Sequence, residues 1–257
     1  MSIPPNFSPQ VYALVMPLLS NQHERFVQKM FDRIAGHYDL LNRVISFHLD
    51  TIWRREAIKA LRLKGTSGFV LDLGTGTGDL ALIAAKEMGK EGKVFGLDLS
   101  PQMLRLAQKK RRKLRYGDKT VFVLGSALAP PFRSETYETV ITAFVLRNIA
   151  DLNLFFLEAY RLLRPGGKLA SLDMFPPTGG PFSLFYSYYF YRLVPWIGSG
   201  LAGDRTAYQY LSDSVKKFAS PESIADVIRQ AGFEETRIQR FLRGAVCLHM
   251  AEKPQRK

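Results

Sequence analysis

Phe69-Val70-Leu71-Asp72-Leu73-Gly74-Thr75-Gly76-Thr77-Gly78-Asp79 is the stretch that decides how this chain folds. The apolar run from Phe69 to Leu73 reads as a buried parallel strand, and Leu80-Ala81-Leu82-Ile83-Ala84-Ala85 reads as the helix after it. Between them stand three alternate glycines, the residue type that lets a backbone bend sharply and lie directly against a ligand. The next strand, Val94 to Leu97, ends in Asp98. An acid about twenty residues past such a turn reaches the ribose hydroxyls of a bound nucleoside.

Glycine spacing separates the nucleoside cofactors that use this layout. A dinucleotide fingerprint is Gly-x-Gly-x-x-Gly, with a pyrophosphate on the helix N-terminus. Here the pattern is Gly74-x-Gly76-x-Gly78, flanked by Asp72 and Asp79. Two carboxylates oppose a pyrophosphate but suit the ammonium group of a methionine moiety. The run resembles the first motif of the class I S-adenosylmethionine (SAM) methyltransferases. Taken alone, these residues leave a dinucleotide, or a tight turn without a ligand, as alternatives.

The chain has 257 residues, 46% of them apolar, enough for one well-cored α/β domain with appendages. One cysteine, Cys247, excludes an intramolecular disulfide and a cysteine-based metal cage. His23, His37, His48 and His249 show no metal-ligand spacing, so no metal site is expected. No Lys or Arg precedes Arg25, which argues against a secretory or mitochondrial presequence. Val11 to Leu19 is apolar but short and carries Pro17; it lies on a membrane surface or packs on the domain, and cannot span a bilayer. The net charge of +13 calls for nucleic acid, an anionic membrane surface or solubility as its reason. Much of it sits in Lys109-Lys110-Arg111-Arg112-Lys113. Five consecutive cations point all round a helix, so they read as a solvated helix end or a membrane-facing patch.

Along the chain, residues 1–22 read as an irregular arm and 23–63 as a helical cap with helices near 24–35, 40–48 and 51–62. Gly36 separates the first two helices, which puts His37, Tyr38 and Asp39 at a junction with Asp39 as N-cap of the second. Strands follow near 69–73, 93–97, 120–124, 138–143 and 168–173, with helices near 79–88, 101–113 and 151–163. Ser100-Pro101 supplies an N-cap and a first-turn proline; Arg164-Pro165-Gly166-Gly167 forbids a helix from continuing. Phe182 to Trp196 holds eight aromatics in fifteen residues, within an insertion spanning 177–217. Helices near 205–216 and 221–231 and strands near 233–241 and 244–251 complete the pattern. The expected fold is α/β: a doubly wound, Rossmann-like, seven-stranded and mostly parallel sheet, an antiparallel C-terminal strand pair, and an N-terminal helical cap. Residues 23–252 form a single domain in this reading, with 253–257 as a tail.

Tyr38-Asp39-Leu40-Leu41-Asn42-x-x-Ile45-Ser46 followed by Trp53 is similar to the N-terminal signature of the quinone-biosynthesis C-methyltransferases. These enzymes methylate demethylmenaquinol and, in many organisms, a ubiquinol precursor. Arg161-Leu162-Leu163-Arg164-Pro165-Gly166-Gly167-Lys168-Leu169 resembles their second signature. Further matches are Leu193-Val194-Pro195-x-Ile197-Gly198, Gly203-Asp204, Ala207-Tyr208-x-Tyr210-Leu211, Ala231-Gly232-Phe233 and Gly244-x-x-x-x-His249. The resemblance covers roughly residues 25 to 250. The chain departs from it at Asp50, where the family usually has His, and at Asp173-Met174-Phe175, where a Glu-x-Ser ending is usual. Ser126 replaces Asn or Asp, Ala143 a serine and Val145 a glycine.

The resemblance implies SAM as cofactor, with Asp72, Gly74, Gly76, Thr77 and Gly78 around its methionine part, Asp98 on the ribose, and Ser126 and Ala127 at the adenine. It implies a prenylated quinol as substrate, methylated at a ring carbon. Arg147 then stabilises the phenolate with Asn148 orienting it, while Tyr38 and Asp39 close the site or take the proton, and Tyr208 is a further candidate. For Arg147 the competing reading is a surface salt bridge. For the 182–196 aromatics, a lid and prenyl groove competes with a plain packing helix. An anionic membrane surface is the expected partner and the cytoplasm, at the membrane's inner face, the expected location; a homodimer is left open and nucleic acid is not expected. The competing functional classes are an RNA-base methyltransferase and a non-catalytic SAM-binding subunit.

Overall fold

A computed structural model describes residues 22–177, 179–194, 196 and 205–256. The expected N-terminal arm, the Val11–Leu19 segment, much of the Leu193–Asp204 signature, the Tyr208 side chain and the last residue of the tail lie outside the described residues.

Seven strands form one sheet in the order β3-β2-β1-β4-β5-β7-β6. The strands are β1 Phe69–Leu73, β2 Lys93–Asp98, β3 Thr120–Leu124, β4 Tyr137–Ala143, β5 Leu163–Met174, β6 Glu234–Phe241 and β7 Val246–Glu252. The first five pair in parallel, whereas β7 runs antiparallel between β5 and β6, as the sequence predicts. Side chains alternate between faces at a period of two. On β1, Val70 joins a core with helices α2 (Leu49–Ala60), α3 (Asp79–Glu87) and α4 (Pro101–Arg111). Leu71 and Leu73 point the other way, to α5 (Leu152–Leu162) and, beyond the aromatic insertion, the helix Pro221–Gln230. Helices thus cover both faces, and the strand order reverses between β1 and β4. Ligands in such sheets bind beyond the carboxyl ends of the strands at that reversal.

The cap differs from expectation. Helix α1 runs unbroken from Gln22 to Ile45 through Gly36. A mid-helix glycine costs about 1 kcal/mol relative to alanine. Here it is exposed, and the apolar stripe Val27, Met30, Ile34, Leu41, Ile45 continues past it at helical spacing. Burial of that stripe against Met103 of α4 and the aromatic insertion outweighs the glycine. Asp39 therefore caps nothing and lies mid-helix. The break falls at Ser46–His48, where Phe47 and His48 adopt left-handed backbone angles. β5 also begins earlier than expected, with Leu163 paired to Tyr137 across a bulge. The aromatic insertion forms α6 (Gly180–Tyr188), continued by a π turn over Tyr189–Leu193, and α7 (Arg205–Lys216) follows. The helix Pro221–Gln230 is then α8.

An alternating chain of charges fastens this cap to the glycine turn. Arg54 donates to Asp50 at 2.5 Å, and Arg43 bridges Asp50 at 2.9 Å and Asp79 at 2.7 Å. Lys110 then joins Asp79 at 2.5 Å to Asp39 at 2.6 Å. Three cations meet three carboxylates, so the set is neutral. Asp79 would be raised by burial, but Lys110, Arg54 and Arg43 hold it down at about 2. Lys110 thereby leaves the basic run: it faces inward, while Lys109, Arg112 and Lys113 stay exposed. Asp50, the departure from the family's histidine, is the 2%-exposed hub of the chain. Removing one partner of a buried pair strands the other charge and costs about 3–5 kcal/mol. Asp50→Ala is expected to lose that much in urea unfolding; a loss under about 1 kcal/mol would show that the chain of charges does not hold the cap.

Candidate active site

Gly74, Gly76 and Gly78 all take positive φ, at 74°, 56° and 83°. A Cβ at Gly74 would come within 2.5 Å of Val145, whereas one at Gly76 would meet nothing within 4 Å, on a wall of the cavity at the turn. The backbone N–H of Gly76 donates to one oxygen of Asp98 at 2.7 Å and that of Ser100 to the other at 2.8 Å. Those bonds fix the half-buried Asp98 carboxylate at the end of β2. Burial still raises it to about 6, since the N–H groups offset only part of the lost hydration. Beneath the turn Asp72 is buried, raised by desolvation to about 7, and accepts the Thr75 hydroxyl at 2.7 Å. Its other oxygen has no hydrogen-bond partner among the described residues.

The cavity over this turn is lined by Gly74, Gly76, Asp98 and Ala127, with Phe31 and Met103 among its apolar walls. Two observations fit SAM: an open face at Gly76 and an anchored carboxylate for ribose; Asp72 lies buried behind the cavity wall rather than lining it. Other sequence candidates are placed elsewhere. Thr77 donates to Asp39 at 2.6 Å and accepts from Lys110 at 2.9 Å, so its hydroxyl belongs to the charge chain. Gly78 packs against Phe122 and Ala107 rather than lining the cavity. The Ser126 hydroxyl is given to Glu24 of α1 and accepts the Leu128 N–H at 3.0 Å, which leaves Ala127 as the lining residue. Asp39, a candidate for proton transfer, has its two oxygens on Thr77 and Lys110.

Arg147 follows β4 in a single 3-10 turn, Leu146–Asn148. It forms an ion pair with Asp173 at 2.6 Å, and both side chains are almost fully buried. This is a salt bridge, but not the surface one that the sequence leaves open. Asp173 also accepts the Leu146 N–H at 2.8 Å, locking the turn that carries the arginine. The Arg147 Nε has no partner among the described residues, so the guanidinium has donor capacity to spare. Tyr38 stands beside it, sharing one small cavity with Arg147 and Asn148. Burial raises the Tyr38 phenol, and the nearby Arg54 and Arg147 only partly oppose that, so at neutral pH it is an uncharged hydroxyl. Asn148 is buried; its side-chain amide donates to the Phe144 carbonyl at 3.5 Å, and its backbone carbonyl contacts the His23 ring at 3.0 Å.

A second cavity of about 210 Å³ opens on the far side of Phe144. Ile45, Trp53, Met174, Tyr186 and Phe190 supply apolar walls, and Arg147 lines it with Asp50 as charged groups. Phe144 lines both cavities and is the partition between them. Its φ of 63° is rare for an aromatic residue, and the Arg54 guanidinium lies 4.8 Å from its ring centre. Sequence reasoning missed Phe144 and Asp173. A carboxylate at the end of an otherwise apolar strand was the available signal for the second.

Comparison with known proteins follows the same line. A sequence model described as the ubiE/COQ5 methyltransferase family matches residues 19–253. A demethylmenaquinone methyltransferase of Thermus thermophilus is 40% identical over 225 residues, covering 88% of this chain and 100% of that protein. A ubiquinone/menaquinone biosynthesis C-methyltransferase of Desulfotalea psychrophila is 37% identical, covering 88% and 90%. Among solved structures, a possible histamine N-methyltransferase of Thermotoga maritima aligns with TM-score 0.62 at 20% identity, covering 88% and 99%. A phosphoethanolamine N-methyltransferase of Haemonchus contortus, solved with S-adenosylhomocysteine, aligns at TM-score 0.59 and 19% identity over 79% of this chain; the chain spans about half of its length, 52%. At those identities the structural likenesses speak to the fold alone.

The cofactor cradle generates one expectation. Ligand binding that needs an ionised carboxylate weakens about tenfold per pH unit below that group's pKa. Asp98 and Asp72 are both raised, so SAM affinity measured by calorimetry should be greatest above about pH 7 and fall steadily toward pH 5. An affinity that is flat over that range would contradict the assignment of these two carboxylates.

Proposed function

The chain belongs to the ubiE/COQ5 methyltransferase family, and from that premise we propose that it is a SAM-dependent C-methyltransferase of quinone biosynthesis, methylating a ring carbon of a prenylated quinol. Demethylmenaquinol is the substrate we favour, as in the Thermus relative, with a ubiquinol precursor as the second choice. The observation that carries the reading is the position of Arg147. This buried cation stands where an apolar cavity adjoins the cofactor cradle, with donors left over for an oxyanion.

Bound in the cradle, SAM supplies an electrophilic methyl group on a sulfonium. Asp98 receives the ribose hydroxyls, and the missing Cβ of Gly76 leaves room for the ligand at the turn. Asp72, buried beneath the turn, would lend its negative charge to the ammonium side of the cradle. The substrate needs its hydroxyl ionised, its proton passing to solvent, since the phenolate makes the neighbouring ring carbon nucleophilic. As that carbon takes the methyl, the sulfur–methyl bond breaks and leaves a neutral thioether. The carbon's own proton then leaves to solvent and restores the aromatic ring. Bringing a phenol from near pKa 10 to 7 requires about 4 kcal/mol of differential stabilisation. Arg147 contributes to this directly, as a charged donor in a water-poor cavity. Asp173 is its positioning residue, and Tyr38 adds a neutral donor from α1. Holding the ring against the cradle supplies much of the remaining acceleration.

No helix among the described residues is long and apolar enough to cross a membrane. A prenylated substrate nevertheless resides in one, so peripheral contact with the cytoplasmic leaflet belongs to the proposal. An RNA substrate lacks a comparable supporting observation: the cavity next to the cradle is apolar, and Lys110 of the basic run is consumed inside the charge chain. Arg147→Ala is expected to lower kcat about 100-fold or more while leaving the SAM Kd within about threefold. Turnover within about threefold of wild type would make Arg147 a structural residue and remove the proposed role.

A further inference from the structure

The apolar cavity has a mouth, and large exposed hydrophobic side chains surround it. Phe47, Phe185 and Leu242 line the cavity and are themselves exposed, Phe47 by 72%. Beside them on the insertion, Leu184, Tyr188, Arg192 and Trp196 step by four residues along one helical path, and all are exposed. Leu184 is 75% exposed and Trp196 81%. The stacking of Phe47 on Tyr189, with centroids 5.7 Å apart, joins the α1–α2 turn to this helix. Two of the loops hold their hydrophobics on unfavourable backbone: Phe47–His48 and Leu242–Arg243 all have positive φ between 44° and 63°. Bulky residues are disfavoured there, so both loops hold a costly backbone conformation at the cavity mouth.

Cations prevail on the segments around the mouth. Residues 180–196 and 240–246 contain no Asp or Glu and contribute Arg192, Arg240 and Arg243, of which Arg240 is paired with Glu222 of α8 at 2.5 Å. On the 47–55 segment the one acid is Asp50, buried and already paired with Arg43 and Arg54, while Arg55 is exposed. A second copy of the same surface would set these cations against one another. An anionic lipid leaflet complements both features, because aromatic side chains favour the interface and cations favour its charge.

We propose that the rim formed by Phe47, Leu184, Phe185, Tyr188, Trp196 and Leu242 docks on an anionic bilayer, so that the prenyl tail passes from lipid into the apolar cavity without crossing water. The exposed cations left in the basic run at 109–113 then act as a solvated helix end. The tail's route rests on the quinol reading above; the docking itself does not, and is measured without turnover. The sequence has two tryptophans, and Trp53 is buried, so Trp196 is a natural probe.

With vesicles of phosphatidylglycerol and phosphatidylcholine, tryptophan emission of the full chain should shift to the blue and be quenched by brominated acyl chains. Leu184→Glu with Trp196→Glu, outside the cavity lining, should abolish sedimentation with those vesicles. The same double variant should keep wild-type turnover of a short-tailed soluble quinol and lose turnover of a long-tailed quinol presented in vesicles. Neutralising Lys109, Arg112 and Lys113 should leave sedimentation unchanged. Binding that survives the double variant, or that is lost with the lysine and arginine changes, overturns the proposal. So does a wild-type dimer that the double variant converts to monomer, because the rim would then be a self-interface. Failure of wild type to methylate any quinol, with vesicle docking intact, would count against the substrate reading alone.

Discussion

A neutral chain of six charges, Arg54–Asp50–Arg43–Asp79–Lys110–Asp39, is the constraint on which the rest depends. It ties α1 and α2 to the glycine turn and to α4, elements that local sequence preferences would not bring together. Strong pairs in a partly dry setting fix register more than they add net stability, because desolvation offsets much of the attraction. Their consequence is positional. With the cap held down, Phe31 and Tyr38 of α1 become walls of the cofactor cavity, and Asn42 and Ile45 become walls of the apolar one. A helix that moved away would open both cavities at once.

Chemistry is concentrated where those cavities adjoin. Phe144 separates them, Arg147 supplies charge, and Asp173 holds the arginine from the neighbouring strand. The Arg147–Asp173 pair is neutral overall, which lets a guanidinium persist in an apolar cavity. The Arg147 Nε is left without a partner among the described residues. In the proposed reaction the apolar wall that keeps water from a developing phenolate would also suit the isoprenoid part of the substrate.

Local features were legible in the sequence. The β1 strand, its glycine turn and Asp98 declare themselves through hydrophobic runs, glycine spacing and chain distance, and β6 and β7 through their length and position. What escaped depends on partners far away in sequence. Gly36 looks like a helix break until the stripe from Met30 to Ile45 is packed on α4 and the insertion. Asp39 looks like a cap until Thr77, 38 residues away, takes its oxygen. Lys110 looks like part of a solvated run until Asp79 turns it inward. Asp173, 26 residues from Arg147, was visible as a departure from the family but not as the partner that positions the arginine.

Methyl transfer to carbon is the claim that gathers these features together. The direct measurement is incubation of the purified protein with SAM carrying a deuterated methyl group, a short-tailed demethylated quinol kept reduced, and total RNA in the same vessel. The expected result is label in a single methyl group bonded to a ring carbon of the quinol, located by nuclear magnetic resonance. Label on a quinol oxygen, or in RNA and absent from the quinol, would contradict it.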